Sequence, residues 1–172
     1  FSDHRYRLKT RLEYGSFDHY LGAVQGHYQV NNRYQVGVTG KYVNVSGDYP
    51  FQYQLGETTV NRYRKHAALD MMQFQLTQVI RISRNQTLKI DGGYLERHQE
   101  LPGAIVLYQN GISQQTLGLQ EGNYRLDYWL RKGTFTGRVL VNGNHSFTKY
   151  VDSSFFNQNG FLEQNYGHHV VH

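Results

Sequence analysis

Four cations stand at alternate positions near the start of the chain, Arg5, Arg7, Lys9 and Arg11. That spacing lines them up on one side only if the backbone is extended. A row of like charges repels itself unless something answers it. The row either grips acidic groups on another part of the protein, draws in an anionic ligand, or forms a solvated wall. Arg125 and Arg131 extend the same chemistry, sharing a parity with Asp127 and Trp129. A second set is aromatic. Tyr49, Phe51, Tyr53, Arg62 and Tyr63 crowd one polar stretch, and Leu101, Ile105 and Tyr108 fall in another. Exposed aromatics of this kind suit capture of a bulky, partly apolar ligand or docking of a surface lipoprotein. They suit packing against one another equally well.

Covalent chemistry finds no footing. None of the nine His residues has a metal-binding spacing to acidic partners on one strand face, and the adjacent His168 and His169 point to opposite sides of a strand. No nucleophile elbow surrounds any Ser. An enzyme is not expected, nor a metal or cofactor. Asn44-Val45-Ser46, Asn85-Gln86-Thr87 and Asn144-His145-Ser146 match the glycosylation pattern, as chance allows in an Asn-rich chain.

The elements that position these groups follow from one ruler. Tyr6 and Tyr14, Tyr20 and Tyr28, and Tyr34 and Tyr42 are each eight residues apart. Between the first pair, Leu8, Thr10 and Leu12 share the tyrosine parity while the cations take the other. A helix would mix the two sets; a strand separates them. Eight residues of strand span roughly 26 Å, close to the ~25 Å apolar band of an outer-membrane barrel with its aromatic girdles.

Composition agrees. The chain has 172 residues, no Cys, 18 Gly and 15 Tyr, and its mean hydropathy of −0.67 leaves no room for helical membrane spans. Barrel strands escape that filter because half of each faces a polar lumen. The net charge of +5 raises nucleic acid, but the cations alternate singly along strands and make no basic platform. With no signal peptide at Phe1 and no terminal aromatic strand, the sequence reads as an internal stretch of a longer protein.

The alternation predicts strands over about 4–15, 20–30, 33–45, 68–83, 86–97, 124–131 and 134–149, with an eighth starting near the end. Asn31-Asn32, Arg84-Asn85 and Lys132-Gly133 read as tight turns. Polar excursions fill 46–67, 98–122 and 150–166. Short turns opposite long loops are the asymmetry of outer-membrane barrels; only the short Gly15–His19 connection breaks it.

The turn Gly15-Ser16-Phe17-Asp18, and the loop sequences Gly47-Asp48-Tyr49-Pro50-Phe51, Leu101-Pro102-Gly103-Ala104, Tyr150-Val151-Asp152 and Phe156-Asn157-Gln158-Asn159-Gly160, carry a resemblance. The chain resembles the barrel of TonB-dependent outer-membrane receptors of Bacteroidetes type, and is most similar to cobalamin-receptor-like members. That resemblance implies an all-β fold, an antiparallel transmembrane β-barrel of about 22 strands closed around a plug domain. It implies residence in the bacterial outer membrane, contact with its lipids, and coupling to the TonB complex. It implies active import of a scarce nutrient, cobalamin first and a siderophore next. The 172 residues hold about seven to eight strands, without plug or TonB-contacting segment. Arg5, Arg7, Lys9, Arg11, Arg125 and Arg131 would then face plug or lumen. A small passive barrel and a soluble carbohydrate-binding sandwich are the alternatives.

Overall fold

The computed structural model of this chain describes residues 5–102, 114–158 and 160–171. Those residues form ten strands and no helix: β1 (Tyr6–Gly15), β2 (His19–Asn31), β3 (Tyr34–Val45), β4 (Tyr49–Leu55), β5 (Thr58–Arg64), β6 (Leu69–Ser83), β7 (Gln86–Leu101), β8 (Gln115–Lys132), β9 (Phe135–Asn157) and β10 (Gly160–Val171). Eight of them make one antiparallel sheet in the order β1-β2-β3-β6-β7-β8-β9-β10, and β4 with β5 makes a separate hairpin. The sheet is open. β1 and β10 lie at its two ends and do not pair with each other.

Alternation in the sequence becomes two faces through an unbroken register. Leu8 lies opposite Gly26, which lies opposite Val38, then Leu76, Gly92, Tyr124 and Gly143. All belong to the tyrosine parity, so one face is apolar across seven strands. Glycines stand between large residues in that row, Gly26 between Leu8 and Val38 and Gly92 between Leu76 and Tyr124. At Gly143 the reason is contact: an added Cβ would collide with the ring of Tyr124.

Among the described residues nothing covers this apolar face. Leu8 is 67% exposed, Phe74 46% and Leu126 42%, and Val43 is the only buried large hydrophobic side chain among the described residues. A water-soluble domain of this length buries a core. Here the described residues build none.

The apolar band also steps sideways. On β1 it runs from Tyr6 to Tyr14, centred on Thr10, whose row crosses Val24, Gly40, Phe74, Tyr94 and Gly122 to reach His145. On β9 the band is Phe135, Gly137, Val139, Val141 and Gly143, centred on Val139, six residues below His145. Six residues over the six steps from β1 to β9 is one residue per strand. The tight turns descend with it: β2 turns at Asn32-Arg33, β6 at Arg84-Asn85, β8 at Gly133-Thr134.

The strand expectations hold for the sheet and need correction at its far end. Residues 98–122 and 150–166 do not form loops throughout. β7 runs on to Leu101, β8 begins at Gln115, β9 continues to Asn157, and β10 returns from Gly160. There the apolar parity gives way to Glu96, His98, Gln120, Gly118, Lys149 and Asn165, so alternation of hydrophobicity had nothing to report. The β9–β10 connection is a second short link on the side expected to carry long loops.

Candidate functional site

Two groupings gather the chemistry, one past the end of the apolar band and one on the charged face. The first is built on the β4–β5 hairpin. Tyr49, Phe51 and Tyr53 alternate along β4, and Gly56 at φ +61° turns the chain into β5. Register places Tyr49 opposite Arg64, Phe51 opposite Arg62 and Tyr53 opposite Val60. One face therefore carries three aromatics and two guanidinium groups. Phe51 and Tyr53 stack at 6.2 Å. Tyr63 falls on the other face, opposite Pro50, and is 60% exposed. The predicted aromatic set is thus split between two sides.

The hairpin is tethered at both ends. The Phe17 carbonyl accepts hydrogen bonds from the Gly47 amide at 3.5 Å and the Ser46 hydroxyl at 2.9 Å. The Phe17 ring packs on Tyr49 at 5.2 Å. Phe17 and Asp18 both hold positive φ, a conformation that bulky residues adopt only when neighbours enforce it. Gly47, at φ +68°, presses on the Ala67 carbonyl so closely that no side chain fits. On the opposite side Arg64 donates to the Pro102 carbonyl at 3.1 Å. His66 meets Glu100 at 3.3 Å and the Gln115 carbonyl at 2.9 Å. Leu101 thus ends β7 one residue before the Pro102 carbonyl that Arg64 reaches. Ile105 and Tyr108 lie outside the described residues. Between hairpin and β1–β2 turn is an open hollow of about 480 Å³ bounded by Tyr14, Phe17, Asp18, Asp48, Pro50 and Tyr63.

The second grouping lies on the charged face of β6–β9. Asp127, 5% exposed, accepts two parallel hydrogen bonds from Arg138, at 2.8 and 2.7 Å, and one from Arg125 at 3.1 Å. Bidentate guanidinium–carboxylate pairing is the strong form of this contact. The Arg138 guanidinium also lies 4.5 Å from the Trp129 ring centroid, a favourable cation–π placement. One row away, Asp91 takes Lys89 at 3.0 Å and the Thr77 hydroxyl at 2.7 Å.

The predicted row Arg5, Arg7, Lys9 and Arg11 does share this face, but at the sheet's edge and with different company. Opposite Arg7 and Lys9 stand His27 and Gln25. Arg11 pairs with Glu13 on its own strand. Among the described residues no carboxylate pairs with Arg5, Arg7 or Lys9. Arg125 belongs to the Asp127 cluster; Arg131 does not, lying exposed beside the β8–β9 turn, opposite Thr136. Asp127, Arg138, Lys89 and Asp91 were not singled out from sequence. The signal was there in part: Lys89-x-Asp91 and Arg125-x-Asp127 put opposite charges on one parity. Arg138 needed the register of the Gly133 turn.

Past the band, Asp152 on β9 is buried. The Ser154 hydroxyl (2.5 Å) and amide (3.0 Å), with the Gln115 amide (3.1 Å), hold its carboxyl below the usual carboxylate range. Glu163 on β10 is lowered likewise by Asn165 and Lys149, each at 3.0 Å. No group of three or more His, Asp or Glu able to hold a metal occurs among the described residues. The sequence matches no protein-family model, and no curated protein matches it.

Proposed function

We propose that this chain is a section of barrel wall from a TonB-dependent outer-membrane receptor, importing a scarce nutrient, with cobalamin the favoured cargo and a siderophore complex the next. The observation that carries the membrane part of this reading is the stepped, uncovered apolar band. A lipid-facing band must stay level in the membrane while tilted strands cross it. One residue per strand, at roughly 3.3 Å rise and 4.8 Å spacing, corresponds to a tilt of roughly 35°. Outer-membrane barrels tilt by about 35–45°.

Aromatics bound the band as girdles do, with Tyr6, Tyr28, Tyr34, Tyr128 and Phe135 toward the turns and Tyr14, Tyr20, Tyr42 and Tyr94 at the other rim. The opposite face carries charge, as a lumen or plug-facing wall requires. A sandwich needs a second sheet over the apolar face; the only other sheet among the described residues is the β4–β5 hairpin. A closed eight-stranded barrel needs β1 to pair with β10. In lipid, the open edges must find partners, so this reading places further strands beside both.

The ligand half of the proposal rests on the hairpin, whose Tyr49, Phe51 and Tyr53 present flat apolar surface on one face and Tyr63 on the other. Leu101, at the end of β7, and the sequence candidates Ile105 and Tyr108, which lie outside the described residues, complete the candidate set. A plug, the TonB complex and a surface lipoprotein are the partners this reading implies. Two measurements test it on the protein extracted from its native membrane. Full solubility as a monomer without detergent contradicts the membrane reading. Cyanocobalamin binding that survives replacement of 49–64 by a short Gly-Ser link contradicts the role of the hairpin.

A further inference from the structure

The two ends of the sheet carry opposite charge. Of the described acids, Asp91 and Asp127 lie in the middle of the band, both on the charged face. Glu13, Asp18, Asp48, Glu57, Asp70, Glu96, Glu100, Glu121, Asp152 and Glu163 lie toward the hairpin end. The tight-turn end has no acid among the described residues. Each of its three turns instead carries an exposed cation, Arg33, Arg84 and Lys132, with Arg5, Arg81 and Arg131 close behind.

At the β2–β3 and β6–β7 turns the same device appears twice. Strand pairing slips at Val30, between Gln29 and Asn31, and again at Ile82, between Arg81 and Ser83. Each slip leaves an exposed aliphatic side chain without a register partner, 44% exposed at Val30 and 48% at Ile82. Together these elements enclose an open hollow of about 840 Å³ at the rim. Val30, Tyr34 and Ile82 line it with apolar surface; Arg5, Arg33 and Arg81 line it with guanidinium groups. Arg81 also reaches the Asn32 carbonyl at 3.4 Å, which ties the two turns together.

From this juxtaposition of an apolar wall, three guanidinium groups and a rim with no carboxylate among its described residues, we infer that the turn end is a binding site for the headgroup of an anionic phospholipid. The acyl chains lie along the apolar band beside Tyr34, and the phosphate sits at the rim itself, beside Arg33 in the turn and the last cations of the opposite parity, Arg5 and Arg81, of which Arg81 reaches into the turn at Asn32. Arg84 and Lys132 meet neighbouring headgroups along the same rim. Guanidinium groups suit phosphate because they offer paired donors in a fixed plane. Free phosphate would leave the aliphatic wall unused. An acidic protein segment would answer the arginines but gain nothing from Val30 and Ile82.

The inference rests on the membrane reading above, and the experiment keeps the two apart. The protein is reconstituted into nanodiscs of phosphatidylcholine alone or mixed with phosphatidylglycerol, then released into mild detergent, and the retained lipid is identified by native mass spectrometry. Failure to enter nanodiscs at all sinks the membrane reading. Entry followed by selective retention of phosphatidylglycerol is the result expected. Surface cations are worth roughly fivefold each in binding anionic lipid, so Arg33→Gln with Arg81→Gln should cut that selectivity by roughly 25-fold. Lys65→Gln, at the opposite end, should leave it unchanged. Equal retention of both lipids overturns the inference, as does selectivity untouched by the double substitution. Displacement of the lipid by inorganic phosphate or by a soluble acidic peptide as readily as by phosphatidylglycerol vesicles also overturns it. All the substituted residues are exposed, and circular dichroism of each variant establishes that the sheet is retained.

Discussion

The charged face holds two regions of similar composition and different logic. Across β7–β9, every strong charge within the band has an answer: Asp127 holds Arg125 and Arg138, Trp129 lies against Arg138, and Asp91 holds Lys89. On β1, Arg5, Arg7 and Lys9 face His27, Gln25 and solvent, with only Arg11 paired, to Glu13. The first region is a finished piece of structure that needs nothing from outside. The second is a row of like charges that no carboxylate among the described residues answers except at Arg11. A self-balanced cluster contributes to holding the sheet together; an unbalanced row points toward a partner.

The largest effect expected from breaking this contrast is at Asp127. Asp127→Ala leaves two guanidinium groups facing each other beside Trp129, and removing one partner of a shielded cluster costs far more than the cluster is worth. It should lower the urea midpoint more than any other single change on this face. Arg138→Gln should cost less, because Arg125 still answers the carboxylate. If Asp127→Ala is silent, the two regions do not differ in the way claimed.

The next effect tests the other side of the same strands. Gly143→Val drives a side chain into the Tyr124 ring, and overpacking of this kind costs about 1–3 kcal/mol. The measurement is equilibrium unfolding in detergent. Gly122→Val, where nothing stands within 4 Å of an added Cβ, is the control and should cost clearly less.

Acid should loosen the far end of β8–β10 in a defined window. The Asp152 and Glu163 carboxyls are held below their ordinary values of 3.8 and 4.5, so the folded state favours their ionised forms. Their contribution is fully present above those ordinary values and is lost as pH falls through the lowered ones. Protection of the β8–β10 amides past the band, taken as their exchange relative to an unstructured peptide at the same pH, should therefore fall on acidification below about pH 4. That protection should be unchanged between pH 6 and 8.

The smallest effect on stability is expected on β1. Arg7→Gln with Arg11→Gln removes repulsion and one exposed ion pair, so stability should stay within about 0.5 kcal/mol of the parent. What should change is the hold on an acidic partner, read as retention of a plug or of an anionic ligand in pulldown. Unchanged retention would make the row an ordinary solvated wall.

How much of this was legible in the residues follows from what each inference needed. Parity needs only the two-residue period of a strand, so the apolar set Leu8, Val38, Phe74 and Leu126 and the cations Arg5, Arg7, Lys9 and Arg125 separated cleanly. Strand ends need contrast between faces, and β7–β10 lose it past Tyr94, Gly122 and Phe147, where both parities carry polar groups. The β4–β5 hairpin was hidden inside an expected loop although Tyr49, Phe51, Tyr53 and Leu55 alternate with Gln52 and Gln54 and Gly56 marks the turn, because β5 answers that parity with Thr58, Arg62 and Arg64 rather than apolar residues. The Asp127–Arg138 pair depends on register across the Gly133 turn, which alternation does not encode. Ile105 and Tyr108 lie outside the described residues and stand as sequence expectations.

The account turns on which face meets lipid. With no Cys in the chain, single cysteines can be placed at successive positions 123–130 of β8 and spin-labelled in the protein reconstituted into bilayers. Labels at Tyr124, Leu126 and Tyr128 should be relaxed by oxygen and shielded from a water-soluble nickel chelate, with the reverse at Arg125 and Trp129 and a period of two between them. Nickel accessibility at both parities, or shielding of Leu126 from oxygen and nickel alike, would contradict it.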